Sequence, residues 1–344
     1  MNRNSSKSVG FGIIGVGMAG TWYADIIRQQ PDVVLLSALR SPGGDTAAIA
    51  SAWGVPCFDN LETFLAQPGL DAVCIATPSG QHFVQARQAL LAGKHVLVEK
   101  PLTLNLAEAR ELHSLAAAKN LRLGVSLQRR ADPFYHSIKT IIDSGAMGKP
   151  VMLNISLPYF RSQAYYDSAA WRGSVELDGG GILMNQGIHI VDLAVWWLGR
   201  AKQVAAFTST LARSIEVEDT AAVSIFFESG ALGCISGTTA GAPGAAHSLE
   251  LCSSEGSFRI EGEDIVRWDV NAERPAATVQ KDGGASNPKA TSTQNHALIV
   301  KDFITATRED RQPVVSALAA SYSLELILAA YNSARIGQII SIKD

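Results

Sequence analysis

Near the start of the chain, Gly15-Val16-Gly17-Met18-Ala19-Gly20 forms a GxGxxG that follows an apolar run and opens a helical pattern. In that setting the first glycine permits a tight turn, the second lets backbone approach a pyrophosphate, and the third lets helix pack closely on strand. Met18 and Ala19 then stand at a helix N-terminus, whose unpaired N–H groups and partial positive charge suit phosphates. The spacing points to a dinucleotide. An NAD site is expected to carry an acid about 20 residues further on, against the adenosine ribose. The second apolar run ends instead Ala38-Leu39-Arg40-Ser41. A guanidinium beside a hydroxyl suits a 2′-phosphate, which favours NADP over NAD. The alternatives are a solvated Arg40 and an Asp45 that folds back to the ribose.

Two further polar motifs follow apolar runs: Thr77-Pro78-Ser79-Gly80-Gln81-His82 and Glu99-Lys100-Pro101. Strand carboxyl ends are where open α/β sheets bind ligands, so Thr77, Pro78, His82, Glu99 and Lys100 are candidates for the nicotinamide end. Downstream, Asp178-Gly179-Gly180-Gly181 through Asp192 reads as a capped helix beginning at Asp178 or the glycines. Spacings of four and three put Asn185, His189 and Asp192 in one column, with Ile188, Val191 and Val195 facing a core. Between these blocks lies an aromatic-rich loop, Arg161 to Gly173. Its Tyr166, Trp171 and Arg172 suit a sugar, rings packing on C–H surfaces and charges holding hydroxyls or phosphate; an ordinary interface loop is the alternative for its first half. Gln128, Arg129 and Arg130 read either as contacts to cofactor or anionic substrate or as solvated groups.

The elements that must position these groups change character along the chain. Apolar runs at Val9–Ile14, Val33–Leu39, Asp71–Ala76, His95–Val98 and Arg122–Ser126 alternate with helical patterns such as Phe83–Leu91 and Leu106–Ala118. That pattern predicts a doubly wound parallel sheet, a Rossmann domain over residues 1–127. Beyond it Val151, Leu153, Ile155 and Leu157 alternate with polar positions, as do Val223, Ile225 and Phe227, and Ala231–Ser236 and Ser248–Cys252 read as further strands. Residues 128–344 are therefore expected to hold a large, mostly antiparallel open sheet, with a loop over Asn271–Thr293 and two C-terminal helices.

Composition limits the function classes. The 344 residues carry 29 basic and 32 acidic side chains, a net charge of −3, with no Lys/Arg block, so nucleic acid is not an expected partner. Cys57, Cys74, Cys234 and Cys252 form no CxxC pair, and His189 and Asp192 lack a third ligand, so neither a disulfide framework nor a metal is expected. The uncharged run Ser229–Leu249 is broken by glycines and Pro243, so no membrane span is expected there. The polar start, Met1 to Ser8, lacks an apolar signal stretch, and a cytoplasmic location is the expectation.

Taken together, the GxGxxG, Thr77-Pro78 with His82, the block Ala92 to Pro101 and the Gly179-Gly180-Gly181 to Asp192 block resemble the glucose-fructose oxidoreductase, inositol dehydrogenase and rhizopine-catabolism family, Gfo/Idh/MocA. The resemblance covers nearly the whole chain. It implies an N-terminal Rossmann domain and a C-terminal α/β domain for substrate and for assembly into a homodimer or homotetramer through its sheet. It implies that Lys100 sits between substrate and nicotinamide ribose, that His189 is the catalytic histidine, and that Asn185 stands where many members have aspartate. On that reading His189 removes a hydroxyl proton as hydride leaves, and Lys100 steadies the developing alkoxide. Asn185 orients the substrate without sharing a proton. Gln128, Arg129, Tyr166, Arg172 and Asp192 complete the candidate contacts. The implied activity is hydride transfer between NAD(P) and a secondary hydroxyl or keto group of a sugar, sugar derivative or cyclic polyol. Members acting on nucleotide-linked or free pyranoses are the most similar. Their cofactor is commonly NAD, which pulls against Arg40-Ser41. A cofactor-sensing regulator of the same fold, and a glycosidase that works through transient oxidation, are the alternatives.

Overall fold

The computed structural model describes residues 8–276 and 293–343. Most of the expected Asn271–Thr293 loop, residues 277–292, lies outside the described residues, as do residues 1–7. The chain divides into two compact units, one from Met1–Gln128 with Thr293–Ser321 and the other from Arg129–Ser292 with Tyr322–Asp344.

In the first unit, β1 (Val9–Ile14) is buried at every position, as a strand covered on both faces must be. It leads into α1 (Met18–Arg28), which turns Tyr23, Ala24, Ile26 and Ile27 inward. There follow β2 (Val33–Leu39), α2 (Thr46–Trp53), β3 (Cys57–Phe58), α3 (Leu61–Leu65), β4 (Ala72–Ile75), α4 (His82–Leu91), β5 (His95–Val98), α5 (Leu106–Ala118) and β6 (Leu123–Val125). Short polar side chains start the helices: Asp45 accepts the Ala48 N–H before α2 and Asn105 the Ala107 N–H before α5. The sheet runs β3-β2-β1-β4-β5-β6 with every pair parallel. This is the Rossmann order, whose direction reverses between β1 and β4. The carboxyl ends of β1, β4 and β5 therefore deliver Gly15, Thr77 and Glu99-Lys100 to one edge.

The second unit begins with α6 (Pro133–Asp143), capped by Asp132. It continues through β7 (Pro150–Pro158), α7 (Gln163–Asp167), α8 (Ile188–Leu198), β8 (Ala201–Ser209), β9 (Thr220–Phe227), β10 (Leu232–Thr238), β11 (Ser248–Ser253), β12 (Ser257–Glu261) and β13 (Asp264–Asp269). After the undescribed segment come α9 (Gln294–Arg308), α10 (Ala317–Ile336) and β14 (Ile340–Ser341). Eight strands run in the order β13-β12-β11-β7-β10-β9-β8-β14. Every pair is antiparallel except β7 with β10. The expected alternation is present: Ala221, Val223, Ile225 and Phe227 of β9 are buried and the residues between them are more exposed. Strands β8, β12, β13 and β14 are additions to the sequence reading. A bulge between Ala201 and Gln203 interrupts the period of β8, and β12 and β13 carry charges that pair with β11, Arg259 lying 4.0 Å and Arg267 2.8 Å from Glu250.

The division at residue 127/128 put everything beyond it into the second domain, whereas residues 293–321 pack with the first unit. The reason is aromatic packing. Phe303 of α9 is fully buried, meets the Phe11 ring edge-on at 6.2 Å between centroids, and lies on Gly124 of β6, where a Cβ would come within 3.0 Å of its ring. Among the described residues no helix is long and apolar enough to cross a membrane.

Candidate active site

The three glycines of the GxGxxG do three different things. Gly15 has φ +101°, and a Cβ there would come within 2.5 Å of the Ala76 carbonyl oxygen. Gly20 carries the helix so close to the strand that a Cβ would lie 1.9 Å from the Gly15 oxygen. A Cβ on Gly17 would meet nothing within 4 Å, so this glycine leaves open space directly before α1. The first turn of α1 contains no acidic residue, and no side chain caps it. Open backbone with unpaired N–H groups is a cradle for a pyrophosphate, and the dinucleotide fits it.

At the end of β2 the Arg40 guanidinium lies flat on Gly44, where a Cβ would approach within 1.8 Å. Arg40 Nε is buried and has no hydrogen-bond partner among the described residues. Asp45, the alternative contact for the ribose, caps α2 instead. Gln128 is buried, with Oε1 lacking a partner among the described residues.

His82 has a role the sequence did not suggest. Its Nδ1 lies 2.7 Å from Pro101 O and its Nε2 2.9 Å from Thr77 O, so the buried ring ties the loop after β4 to the loop after β5. Both ring nitrogens are engaged inside the protein. Burial holds this imidazole below its ordinary pKa, against the two carbonyls that pull it up. The Thr77 hydroxyl donates to Gln85 Oε1 at 2.6 Å. Glu99 also faces inward. Its Oε2 accepts the Lys100 N–H at 3.1 Å, and its Oε1 accepts from the Tyr23 hydroxyl at 2.5 Å, itself 2.6 Å from Ser126 Oγ. His296 of α9 comes within 3.7 Å of the same carboxylate. Burial and the neighbouring Glu99 push the Tyr23 hydroxyl well above its ordinary pKa, so it stays a donor. Lys100 is thereby fixed at its backbone, with its side chain half-buried.

In the second unit, the segment expected to be one helix is two pieces. Ile182–Gln186 forms a π turn, closed by the Gly187 N–H on Ile182 O at 2.6 Å, and α8 starts only at Ile188. The column of Asn185, His189 and Asp192 is broken accordingly. Asn185 sits on the π turn, half-buried, and donates through Nδ2 to Asp178 Oδ1 at 2.6 Å. His189, half-buried, lies in the first turn of α8. Asp192 points into the protein at 1% exposure, where Arg130 grips it with two bonds of 2.6 and 2.7 Å and the Ser323 hydroxyl donates to it.

The remaining candidates divide in the same way. Arg129 is buried against Glu263 at 2.7 Å, with the Tyr135 hydroxyl donating to the other Glu263 oxygen. Tyr166 is buried and donates to Thr239 Oγ1 at 2.9 Å; burial pushes its hydroxyl up to about 12. Trp171 and Arg172 remain half-buried. The Arg172 guanidinium sits between the Tyr165 and Trp171 rings at 4.4 and 4.5 Å and donates to the Tyr165 hydroxyl. It borders a cavity of about 270 Å³ with Asp167, Ser174, Ser214 and Glu216.

Sequence reasoning missed two acids here. Asp178, expected with the glycines as alternatives for a helix start, accepts from Asn185 Nδ2 and from the Gly173 N–H at 2.8 Å. Glu218 accepts the Gly181 and Leu183 N–H groups at 2.8 and 3.0 Å. The available signal was the acid pair Glu218-Asp219 immediately before a strand without charge.

Residues 9–127 match the oxidoreductase family with NAD-binding Rossmann fold, and residues 135–259 match the Gfo/Idh/MocA C-terminal domain. The chain belongs to the Gfo/Idh/MocA family. It is an oxidoreductase with an NAD-binding domain. The WlbA dehydrogenase from Bordetella pertussis, in a crystal structure with NADH and UDP-GlcNAcA, is 31% identical with a TM-score of 0.88, over 98% of this chain and 99% of that one. The scyllo-inositol 2-dehydrogenase (NAD(+)) of Bacillus subtilis is 26% identical over 96% of this chain and 95% of its own length. The uncharacterized oxidoreductase sll0816 of Synechocystis is 28% identical over 60% of this chain, the match spanning 59% of that protein.

The glycine geometry separates binding from folding. Gly17→Ala is expected to leave the melting temperature unchanged and to weaken NADH binding by ~10-fold or more, since the new methyl enters the pyrophosphate space. Gly20→Ala is expected to lower the melting temperature instead. Thermal melts beside NADH fluorescence titrations check the pair; equal NADH affinity for Gly17→Ala and the parent would remove the cradle assignment.

Proposed function

We propose that this Gfo/Idh/MocA chain is a dehydrogenase that oxidises a secondary hydroxyl of a pyranose carrying negative charge, of the UDP-linked uronic acid type. The observation that carries the reading is the likeness to the WlbA dehydrogenase, bound to NADH and UDP-GlcNAcA, over essentially the full length of both chains. Arg172 supports the anionic substrate: its guanidinium faces rings and a hydroxyl, with no carboxylate in ion-pair contact among the described residues. Arg129 and Arg130, by contrast, are already neutralised by Glu263 and Asp192.

The cofactor is held by Gly15, Gly17, Met18, Ala19 and Gly20 at its phosphates, with Thr77, Pro78, Glu99 and Gln128 toward the nicotinamide, and when bound it supplies the hydride acceptor. His189 removes the proton of the hydroxyl being oxidised, which requires the neutral imidazole. The Lys100 ammonium hydrogen-bonds the same oxygen and stabilises negative charge developing on it. Asn185, its amide oriented by Asp178, holds a neighbouring hydroxyl. An amide cannot exchange a proton, so His189 passes its proton onward without Asn185. Arg40 with Ser41 takes the 2′-phosphate of NADP, which is used alongside NAD. Four thiols, none of them bonded to another, suit a reducing cytoplasm. The exposed face of the second sheet, where Phe207 stands 83% exposed, packs against a second copy.

Three outcomes are expected. His189→Ala lowers the single-turnover rate of NAD reduction with UDP-GlcNAcA by ~10² or more at unchanged NADH affinity, because the group that accepts the hydroxyl proton is gone. A folded His189→Ala protein with a normal rate would refute the base assignment. Arg40→Ala raises the KM for NADP by ~10-fold and leaves that for NAD alone; equal change in both removes the 2′-phosphate contact. Phe207→Glu shifts sedimentation toward a monomer, whereas unaltered sedimentation moves the interface elsewhere.

A further inference from the structure

The turn that carries Asn185 cannot cap itself. It begins Gly179-Gly180-Gly181, and neither Gly181, before the π turn, nor Gly187, before α8, has a side chain to offer the unpaired N–H groups of a first turn. The acceptor comes from elsewhere in the same unit. Glu218 is 7% exposed, in the loop leading into β9, and uses both carboxylate oxygens: Oε2 takes the Gly181 N–H at 2.8 Å and Oε1 the Leu183 N–H at 3.0 Å. Its own carbonyl takes the Ile182 N–H at 3.3 Å. The Tyr331 hydroxyl of α10 donates to Oε1 at 2.7 Å. Three consecutive amides therefore end on one residue. From there the bonding continues to the substrate side, because the Gly181 carbonyl accepts the Asn185 N–H at 2.9 Å.

The glycines are what this clamp requires. A Cβ on Gly181 would lie 1.6 Å from the Glu218 carbonyl oxygen, and one on Gly180 would lie 2.2 Å from the Tyr331 hydroxyl. The run that reads in sequence as a helix start is thus the seat of a buried acid and a tyrosine. We propose that Glu218 is a positioning residue whose carboxylate, reinforced by Tyr331, caps the turn that presents Asn185 and leads into His189. Burial pushes this carboxyl above its ordinary pKa, while the two amides and the tyrosine pull it down. The assignment rests on the catalytic reading of Asn185 and His189.

Glu218→Gln tests it, since glutamine keeps the size but has one oxygen for two amides. Hydrogen exchange gives a readout free of that catalytic reading. The amides of Gly181 and Leu183 are expected to exchange ~10-fold faster or more, with β7, β9 and β10 unchanged. Unchanged exchange at the two amides, or equal loosening through the sheet, overturns the clamp. With NAD and UDP-GlcNAcA, kcat is expected to fall ~10-fold with the KM for NAD within about twofold of the parent. In a His189→Ala background the same substitution is expected to cost less than about twofold, because a misplaced turn has no base left to misplace. Additive losses overturn the positioning role. Should His189→Ala retain full activity, the catalytic reading fails while the exchange result still decides the clamp. Tyr331→Phe keeps the carboxylate and its backbone bonds and serves if Glu218→Gln does not fold. A ~2- to 5-fold loss of kcat with faster exchange at Leu183 supports the clamp, and parental behaviour in both overturns it.

Discussion

In each unit, a carboxylate turned inward to accept backbone N–H groups is the interaction on which the candidate residues depend. Glu99 holds the amide of Lys100, and Glu218 holds the amides of Gly181 and Leu183, the second of them on the turn of Asn185. In each unit a tyrosine from a long helix, Tyr23 of α1 or Tyr331 of α10, donates its hydroxyl to the same acid. An ionised acid is costly to bury unless donors surround it, and it then binds those donors more strongly than a neutral acceptor would. The physical effect is to convert loops at strand and helix ends, otherwise the mobile parts of an α/β protein, into fixed supports. The acid itself does no chemistry. It settles where the neighbouring side chain starts from.

Glycine is the counterpart of these acids. At Gly20 and Gly181 the absence of a Cβ lets backbone approach backbone or carbonyl within distances that any side chain would forbid. At Gly17 the same absence leaves space that nothing in the described structure fills. The two cases look identical in sequence, since both belong to glycine-rich turns ahead of a helix. They differ in what lies across from the missing methyl: protein in one, open space in the other. A glycine motif therefore locates a close approach without saying what approaches.

That distinction explains which parts of the molecule could be read from residues alone. The parallel sheet was legible because its strands are continuous apolar runs such as Val9–Ile14, separated by amphipathic helices with clear caps. The tight turn at Gly15 and the close approach at Gly20 were legible because the GxGxxG follows the first of those strands. Periodicity failed where the backbone leaves the regular helix: five residues in a π turn displace Asn185 from the column that spacing of four assigns it. It also failed for partners distant in sequence. Nothing local links Glu218 to Gly181, 37 residues earlier, or Asp192 to Ser323, 131 residues later. The placement of α9 with the first unit was hidden for the same reason, since Phe303 meets Phe11 nearly 300 positions away.

Charge is where local reading departs furthest from the folded molecule. Gln128-Arg129-Arg130 reads as a solvated or ligand-facing run, yet both guanidiniums turn inward, Arg129 to Glu263 and Arg130 to Asp192, with side-chain exposure between 1% and 11%. Two arginines in succession can do this because the backbone between them is a tight 3-10 turn. Each ion pair closes on itself, so it contributes little net field at a distance, and its removal by halves would strand a charge indoors. Arg172, held by rings that leave its charge intact, is different. An interior cation matched by a carboxylate has no attraction left for a substrate's anion, whereas one stacked on tyrosine and tryptophan is oriented without being neutralised. Arg129 and Arg130 also lie over rings, those of Tyr135 and Trp196, so the difference between these arginines and Arg172 is whether a carboxylate meets the guanidinium as well, and that is a property of the fold.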